Sequence, residues 1–279
     1  MSDLRIISSG ALRAADNMAV DEALMRSLAA GASSHFLRFY RWVKPTLSFG
    51  YFQRVEEIID FEEAGKVGTD VVRRLTGGKM VFHSEEITFS LGINLNSPEF
   101  GGIRIKNFGD LFRELMTPIL KALISLGLPA GFGSRKEVAK SGDRVFCYGS
   151  AVGHSIFAGG KKLIGAAGIK KGAVFALHGS IPIKKTKIPP GVLRKFMPTD
   201  DELSIAYLSD LMPSFNTKTL EDAVNKSYSE SFGMQMLDDS LSEREKEIAE
   251  ILSKNKYEDI FWKGKDLLDC EKLIETIMK

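Results

Sequence analysis

The sequence predicts an α/β protein, with strands and helices alternating to about residue 185 and a helical segment after that. Three observations carry this. Aromatic and β-branched runs such as HFLRFYRW (residues 35–42) and ITFSLGINL (87–95) alternate with stretches whose apolar residues recur at helical spacing, notably 16–29 and 108–126. Glycine-rich turns cut residues 144–184 into four short strand-like runs. Beyond Pro189, apolar and acidic residues at helical spacing dominate. The chain of 279 residues can bury a substantial core, and it divides into a domain at 1–188 and a segment at 189–279 packed on it.

Residues 4–7 read as a first short strand. Residues 16–29 form a helix, with Val20, Ala23, Leu24 and Leu28 on one face and Gly31 as its stop. The aromatic run at 35–42 is a strand that Pro45 ends. Residues 46–52 (TLSFGYF) make the next strand, and Gly50 inside it marks a bulge or a close approach by another group. Asp60 caps a short helix at 60–65. The stretch VVRRLTGGKMVFHSEEITFS (71–90) then puts a strand on each side of Thr76-Gly77-Gly78 and closes the second with His83.

Residues 87–95 continue as a buried strand, and 94–102 are loop. Phe108, Leu111, Phe112, Leu115, Ile119 and Leu123 share one face of a helix at 108–126, which Pro118 should kink or break. Residues 131–142 read as a mobile loop. Strands at 144–148, 151–157, 162–170 and 172–184 follow, with Gly159-Gly160 as a hairpin turn that pairs Lys162 back toward Ala158. Helices are expected at 203–211 and 220–232. Ser242-Glu243-Arg244-Glu245 has the form of a capping box opening a helix to about residue 252.

Composition narrows the function. A net charge of +2 gives no reason to expect nucleic acid or a membrane surface as partner. The lysines at 161, 162, 170 and 171, and at 184, 185 and 187, read first as solvated loops, although they could receive an acidic partner. No run approaches the ~18 apolar residues of a membrane span, and the N-terminus lacks the pattern of an export signal. With only Cys147 and Cys270, the chain reads as cytoplasmic and reduced. No metal-ligand spacing is present, and neither GxxxxGK[ST] nor GxGxxG occurs, so no metal and no ATP is expected as cofactor.

The residues that could carry chemistry each have a bland reading beside the sharp one. Cys147 is either a small buried hydrophobe or a nucleophile. Lys161 and Lys162 lie on alternate faces of a strand, so one of the two can be buried. An ammonium ~4 Å from the Cys147 sulfur would favour the thiolate by about 4 kcal/mol before desolvation, at an effective dielectric of ~20. A thiolate attacks an acyl thioester without a separate base. Gly165-Ala166-Ala167-Gly168 has almost no side-chain bulk and leaves an open groove beside Lys162. His83 and His178 each close a strand-like run, where a histidine is usually structural.

RRLTGGKMVFH (73–83), NMAVDEAL (17–24), RFYRWVKPTLSFGYFQ (38–53) and KKLIGAAG with HGSI together resemble the biotin/lipoate protein ligase and lipoyltransferase superfamily over about residues 5–185. The resemblance implies mixed, largely antiparallel sheets flanked by helices, with the C-terminal helical segment added. The cysteine-dependent octanoyltransferases of lipoate synthesis are the most similar group. They carry RRxTGG(R)xVxHD, then a catalytic cysteine fifteen residues before the lysine of GxKxxGSA; here Cys147 stands fifteen residues before Lys162. Related amidotransferases place the cysteine closer to the lysine. ATP-dependent lipoate ligases resemble GGGAVxHDxGN instead, where this chain has Lys79, Ser84 and Glu86-Ile87.

The resemblance therefore implies an octanoyltransferase with Cys147 and Lys162 as catalytic residues. Arg73, Gly77, Gly78, His83, Gly165 and Ala166 are its substrate-binding residues. The donor would be the octanoyl thioester of acyl carrier protein, with no other cofactor. The acceptor would be a lysine of a lipoyl domain or of glycine-cleavage H protein. An ATP-dependent lipoate ligase, with Cys147 structural, is the alternative, and a non-catalytic acyl- or biotin-binding protein is the third reading. Ser84 in place of Asp, and Ala151-Val152 in place of Pro-Ser, are departures from the octanoyltransferase pattern.

Overall fold

The run HFLRFYRW forms strand β2 (His35–Trp42), and its alternation decides how the layers stack. Phe36, Tyr40 and Trp42 face one side of the sheet and Leu37 and Phe39 the other, and each set lies in a different apolar cluster. The computed structural model describes residues 3–100, 107–133, 147, 153–194 and 205–278. Cys147 apart, the expected strand at 144–148 lies outside the described residues, as do 134–142 of the expected loop.

The main sheet has eight strands. These are β1 (Asp3–Leu12), β2, β6 (Glu86–Asn94), β7 (Ala130–Phe132), β8 (Ile156–Ala158), β9 (Lys161–Lys171), β10 (Val174–Pro182) and β11 (Gln235–Asp239), in the order β11-β1-β2-β6-β10-β9-β8-β7. The pairs β11–β1 and β1–β2 are parallel and all later pairs antiparallel, which is the mixed, largely antiparallel sheet that was expected. A smaller sheet has the order β4-β3-β5, from β3 (Thr46–Phe49), β4 (Asp70–Arg73) and β5 (Val81–His83).

Helix α1 (Ala14–Ala29) covers one face of the main sheet together with α6 (Glu243–Leu252) and α7 (Leu268–Met278). On the other face lie α3 (Phe108–Ser125) and α5 (Thr217–Phe232). Two short helices, α2 (Phe61–Lys66) and α4 (Leu208–Leu211), complete the set among the described residues. Asp60 caps α2 by accepting from the Glu62 and Glu63 amides, and the Ser242 capping box is fully formed.

The strands expected on each side of Thr76-Gly77-Gly78 form, as β4 and β5, with β3 between them, parallel to β4 and antiparallel to β5. Several expectations are corrected. Strand β3 stops at Phe49, and Gly50 belongs to the loop after it. Helix α3 runs unbroken through Pro118, which forgoes one backbone bond without ending the helix. Residues 131–132, expected as loop, belong to β7. At the Gly159-Gly160 turn, where both residues have positive φ, Lys161 pairs with Ala158 and Lys162 with Phe157. The C-terminal segment is helical as expected but also adds β11, which extends the main sheet. Of the expected helix at 203–211, residues 203 and 204 lie outside the described residues, and 205–211 is helical at Leu208–Leu211. Among the described residues no helix is long and apolar enough to cross a membrane.

Candidate active site

Lys162 is the second residue of β9 and only 3% exposed, while Lys161 beside it is exposed. The alternation of the strand turns one ammonium in and the other out. The Lys162 Nζ donates to the carbonyl oxygen of Cys147 at 2.7 Å and stands 3.7 Å from its sulfur. Cys147 lies in a bend, and its amide donates to the Met80 carbonyl at 2.9 Å, tying it to the start of β5. The lysine is fixed from behind as well, since its carbonyl accepts from the Ala206 amide at 2.9 Å.

The third member of this cluster is the absence of a side chain. A Cβ on Gly165 would lie 2.8 Å from the Cys147 sulfur and 3.1 Å from the Lys162 nitrogen, so the pair meets because residue 165 is glycine. Beyond it, Gly165, Ala166 and Ala167 line an apolar cavity whose other walls include Cys147, Arg74, Gly78, Lys79, Trp42, His83 and His178. The bulk-free run on β9 thus opens the groove that its composition suggested.

The other walls come from the smaller sheet. Arg74 is buried and clasps the glycine turn, donating to Ser48 O at 2.6 Å, Ser48 Oγ at 2.7 Å, Gly77 O at 3.2 Å and Lys79 O at 2.9 Å. Its Nε has no partner among the described residues. Burial pushes the Arg74 guanidinium down to about 10, a fall that the nearby Cys147 and Tyr40 partly offset. Gly78 has φ of +89° and faces Ala167; a Cβ on Gly50 would lie 1.9 Å from the Gly78 carbonyl oxygen. The close approach anticipated at Gly50 is therefore the glycine turn itself.

His83 sits in a buried network. Its Nδ1 is 2.7 Å from Glu86 Oε1 and its Nε2 is 2.6 Å from Ser48 Oγ. The Glu86 carboxylate can only accept, so Nδ1 carries a proton; the Ser48 hydroxyl already accepts from Arg74 and can donate to Nε2. Trp42 stacks on the His83 ring at 4.2 Å between centroids and donates its indole N–H to Thr88, which in turn donates to Glu86. Burial would raise the Glu86 carboxyl, but His83 and the hydroxyls of Ser180 and Thr88 hold it below the usual range. Across the cavity, burial, with Arg74 and His83 close by, pushes His178 well below an ordinary histidine. Its Nε2 lies 2.8 Å from the Thr76 hydroxyl.

Of the residues singled out from sequence, Cys147, Gly78, His83, Gly165 and Ala166 line this one cavity, and Lys162 meets it through Cys147. Arg73 is not among the lining residues. Its guanidinium donates to the carbonyls of Gly50, Tyr51, Gln53 and Ile260, and so holds the loop after β3. Gly77 contributes its carbonyl to Arg74 and does not line the cavity. Sequence reasoning did not single out Trp42, Ser48, Glu86 or His154. The signal for Glu86 was its position three residues after His83. His154 stacks on Phe112 at 4.2 Å; burial and the Lys162 charge push it down to about 4. Among the described residues no group of His, Cys, Asp or Glu could hold a metal ion.

Comparison with known proteins agrees with this architecture. The family model of the lipoyl protein ligase A/B catalytic domain matches residues 13–224. Octanoyltransferase LipM of Carboxydothermus hydrogenoformans is 30% identical over 272 residues, covering 94% of this chain and 98% of that protein. Octanoyltransferase LipM of Moorella thermoacetica is 37% identical over 179 residues, covering 63% of this chain and 64% of its own length. Among solved structures, a lipoate-protein ligase A bound with ATP is similar with a TM-score of 0.76 at 25% identity, over 94% of this chain and 98% of that one.

Proposed function

The chain belongs to the lipoyl protein ligase A/B catalytic-domain family and is an octanoyltransferase of lipoate biosynthesis, and from that premise we propose that it works through an acyl thioester on Cys147 with Lys162 as the paired cation. The observation that carries this reading is the 3.7 Å separation between the Lys162 nitrogen and the Cys147 sulfur, with Cys147 lining an apolar cavity. The thiolate is the nucleophilic form of a cysteine, and Lys162 places a cation beside it.

In the first step the Cys147 sulfur bonds to the octanoyl carbonyl carbon, and the bond from that carbon to the donor's sulfur breaks. Lys162 can give the departing thiolate its proton and so end the step neutral. In the second step the ε-amine of an acceptor lysine attacks the acyl-Cys147 carbonyl. The amide forms, the Cys147 thiolate leaves, and the proton shed by the amine returns to Lys162. Converting a thioester to an amide is downhill, so the transfer needs no ATP and no other cofactor. A lipoyl domain is the acceptor class that the family supports. Acyl carrier protein as donor, glycine-cleavage H protein as a further acceptor, and a cytoplasmic setting complete the proposal.

The test is incubation with octanoyl-loaded acyl carrier protein followed by intact-mass measurement. One added octanoyl group is expected on the wild type and none on Cys147→Ala. Equal labelling of the two proteins would overturn the mechanism.

A further inference from the structure

A second cavity adjoins the acyl cavity, and the two share two lining residues, Met18 of α1 and His178 of β10. They also share one face of the main sheet. Along the β9–β10 pair, Gly165 stands opposite Ser180, Ala167 opposite His178, and Ile169 opposite Ala176. The first two levels line the acyl cavity and the third lines the one behind it. Alternate residues of a strand share a face, so all three levels look toward α1.

At ~3.3 Å per residue, the step from Gly165 to Ala167 is about 7 Å and that to Ile169 about 13 Å. An extended eight-carbon chain begun on Cys147 beside Gly165, roughly 9 Å long at C–C bonds of about 1.5 Å, reaches the Met18–His178 level and stops short of Ile169. A twelve-carbon chain has to pass it.

The two shared residues differ in what fixes them. His178 is held by the Thr76 hydroxyl and faces Asp21 at 3.9 Å. Met18 is an unbranched thioether, 3% exposed, on α1 within the apolar cluster, with no polar group to hold it in one rotamer. The space behind it is open to an alkyl tail without orphaning polar groups. Asp21 already accepts from Arg38, Tyr40 and Ser90, and Glu22 from Arg26, Lys256 and Tyr257.

We propose that Met18 is the specificity-determining stop for acyl-chain length, the partition between the acyl cavity and a second cavity that would otherwise admit a longer chain. The inference rests on the acyl-Cys147 reading and goes further by naming what limits the acyl group.

The experiment follows acylation of Cys147 by mass with hexanoyl, octanoyl, decanoyl and dodecanoyl thioesters of acyl carrier protein. In Met18→Ala the dodecanoyl-to-octanoyl rate ratio should rise about tenfold or more, the scale of discrimination that one or two methylenes carry in an apolar pocket. Met18→Phe should move the ratio the other way and favour hexanoyl, so the two variants give opposite signs that misfolding cannot mimic. Normal octanoyl acylation with an unchanged chain-length profile in both variants would overturn the partition and leave the acyl-enzyme standing. No acylation of the wild type by octanoyl would overturn the acyl-enzyme reading and the partition with it.

Discussion

The Lys162 ammonium donates to the carbonyl oxygen of Cys147 at 2.7 Å while standing 3.7 Å from the sulfur of the same residue. One side chain therefore both pins the backbone of the nucleophile and supplies the charge beside it. Replacing Lys162 with Met should lower the rate of Cys147 acylation by about 10²–10⁴-fold, the range for a positioned proton-transfer group. Lys162→Arg should rescue little, because the planar guanidinium needs a wider berth than a point ammonium. Single-turnover acylation with octanoyl carrier thioester measures both.

Gly165→Ala tests the missing side chain directly. The new methyl would stand 2.8 Å from the sulfur and 3.1 Å from the ammonium, so one of them must move. A misplacement of about 1 Å at reacting groups costs on the order of 10²-fold in rate. Acylation should fall by that order, with a modest drop in melting temperature that thermal unfolding would quantify. Unchanged acylation would show that the pair does not need its close geometry.

Gly50→Ala should act on stability first. Its methyl would sit 1.9 Å from the Gly78 carbonyl oxygen, a contact that only backbone displacement can relieve. Overpacking of this kind costs about 1–3 kcal/mol or more. The urea midpoint should fall at unchanged slope. Because Gly78 lines the acyl cavity, acylation should fall with it.

His154 gives a pH prediction. Burial and the Lys162 charge lower its folded value to about 4, below the ordinary 6.5. A base whose folded value is depressed takes up its proton more readily in the unfolded chain. Its contribution to stability is therefore full above 6.5 and is lost as the pH falls from 6.5 toward 4. Urea midpoints should decline across that interval in the wild type and decline less in His154→Gln.

How far the sequence could be read depends on how local the cause of each feature is. Strand β2 was legible to its ends because eight residues with aromatic alternation leave no other choice. The inward turn of one of Lys161 and Lys162 follows from strand periodicity alone. Gly50 announced a close approach because a glycine inside an aromatic strand run needs a reason. Strand β3 slipping between β4 and β5 was not legible, since two strands about a Gly-Gly turn look like a hairpin. Nor was the division of labour between Arg73 and Arg74: neighbours on a strand end point oppositely, and only packing says which side holds the cavity. The Glu86–His83–Ser48 network bonds His83 to a residue thirty-five positions away, and nothing local marks that reach.

The parallel pairing of β1 with β11 places Asp3 beside Gln235 and Ile7 beside Asp239. Arg5 is buried there between Glu245 and Asp239, so the first strand of the chain is neutralised by its last quarter. During synthesis at ~5–20 residues per second, β1 waits on the order of ten to fifty seconds for that partner. Through the wait its outer edge carries open backbone donors and acceptors and an unmatched guanidinium. An exposed, apolar edge strand is a template for pairing with another chain. The edge of β1 is thus closed, and Arg5 matched, only once residues 235–245 have emerged.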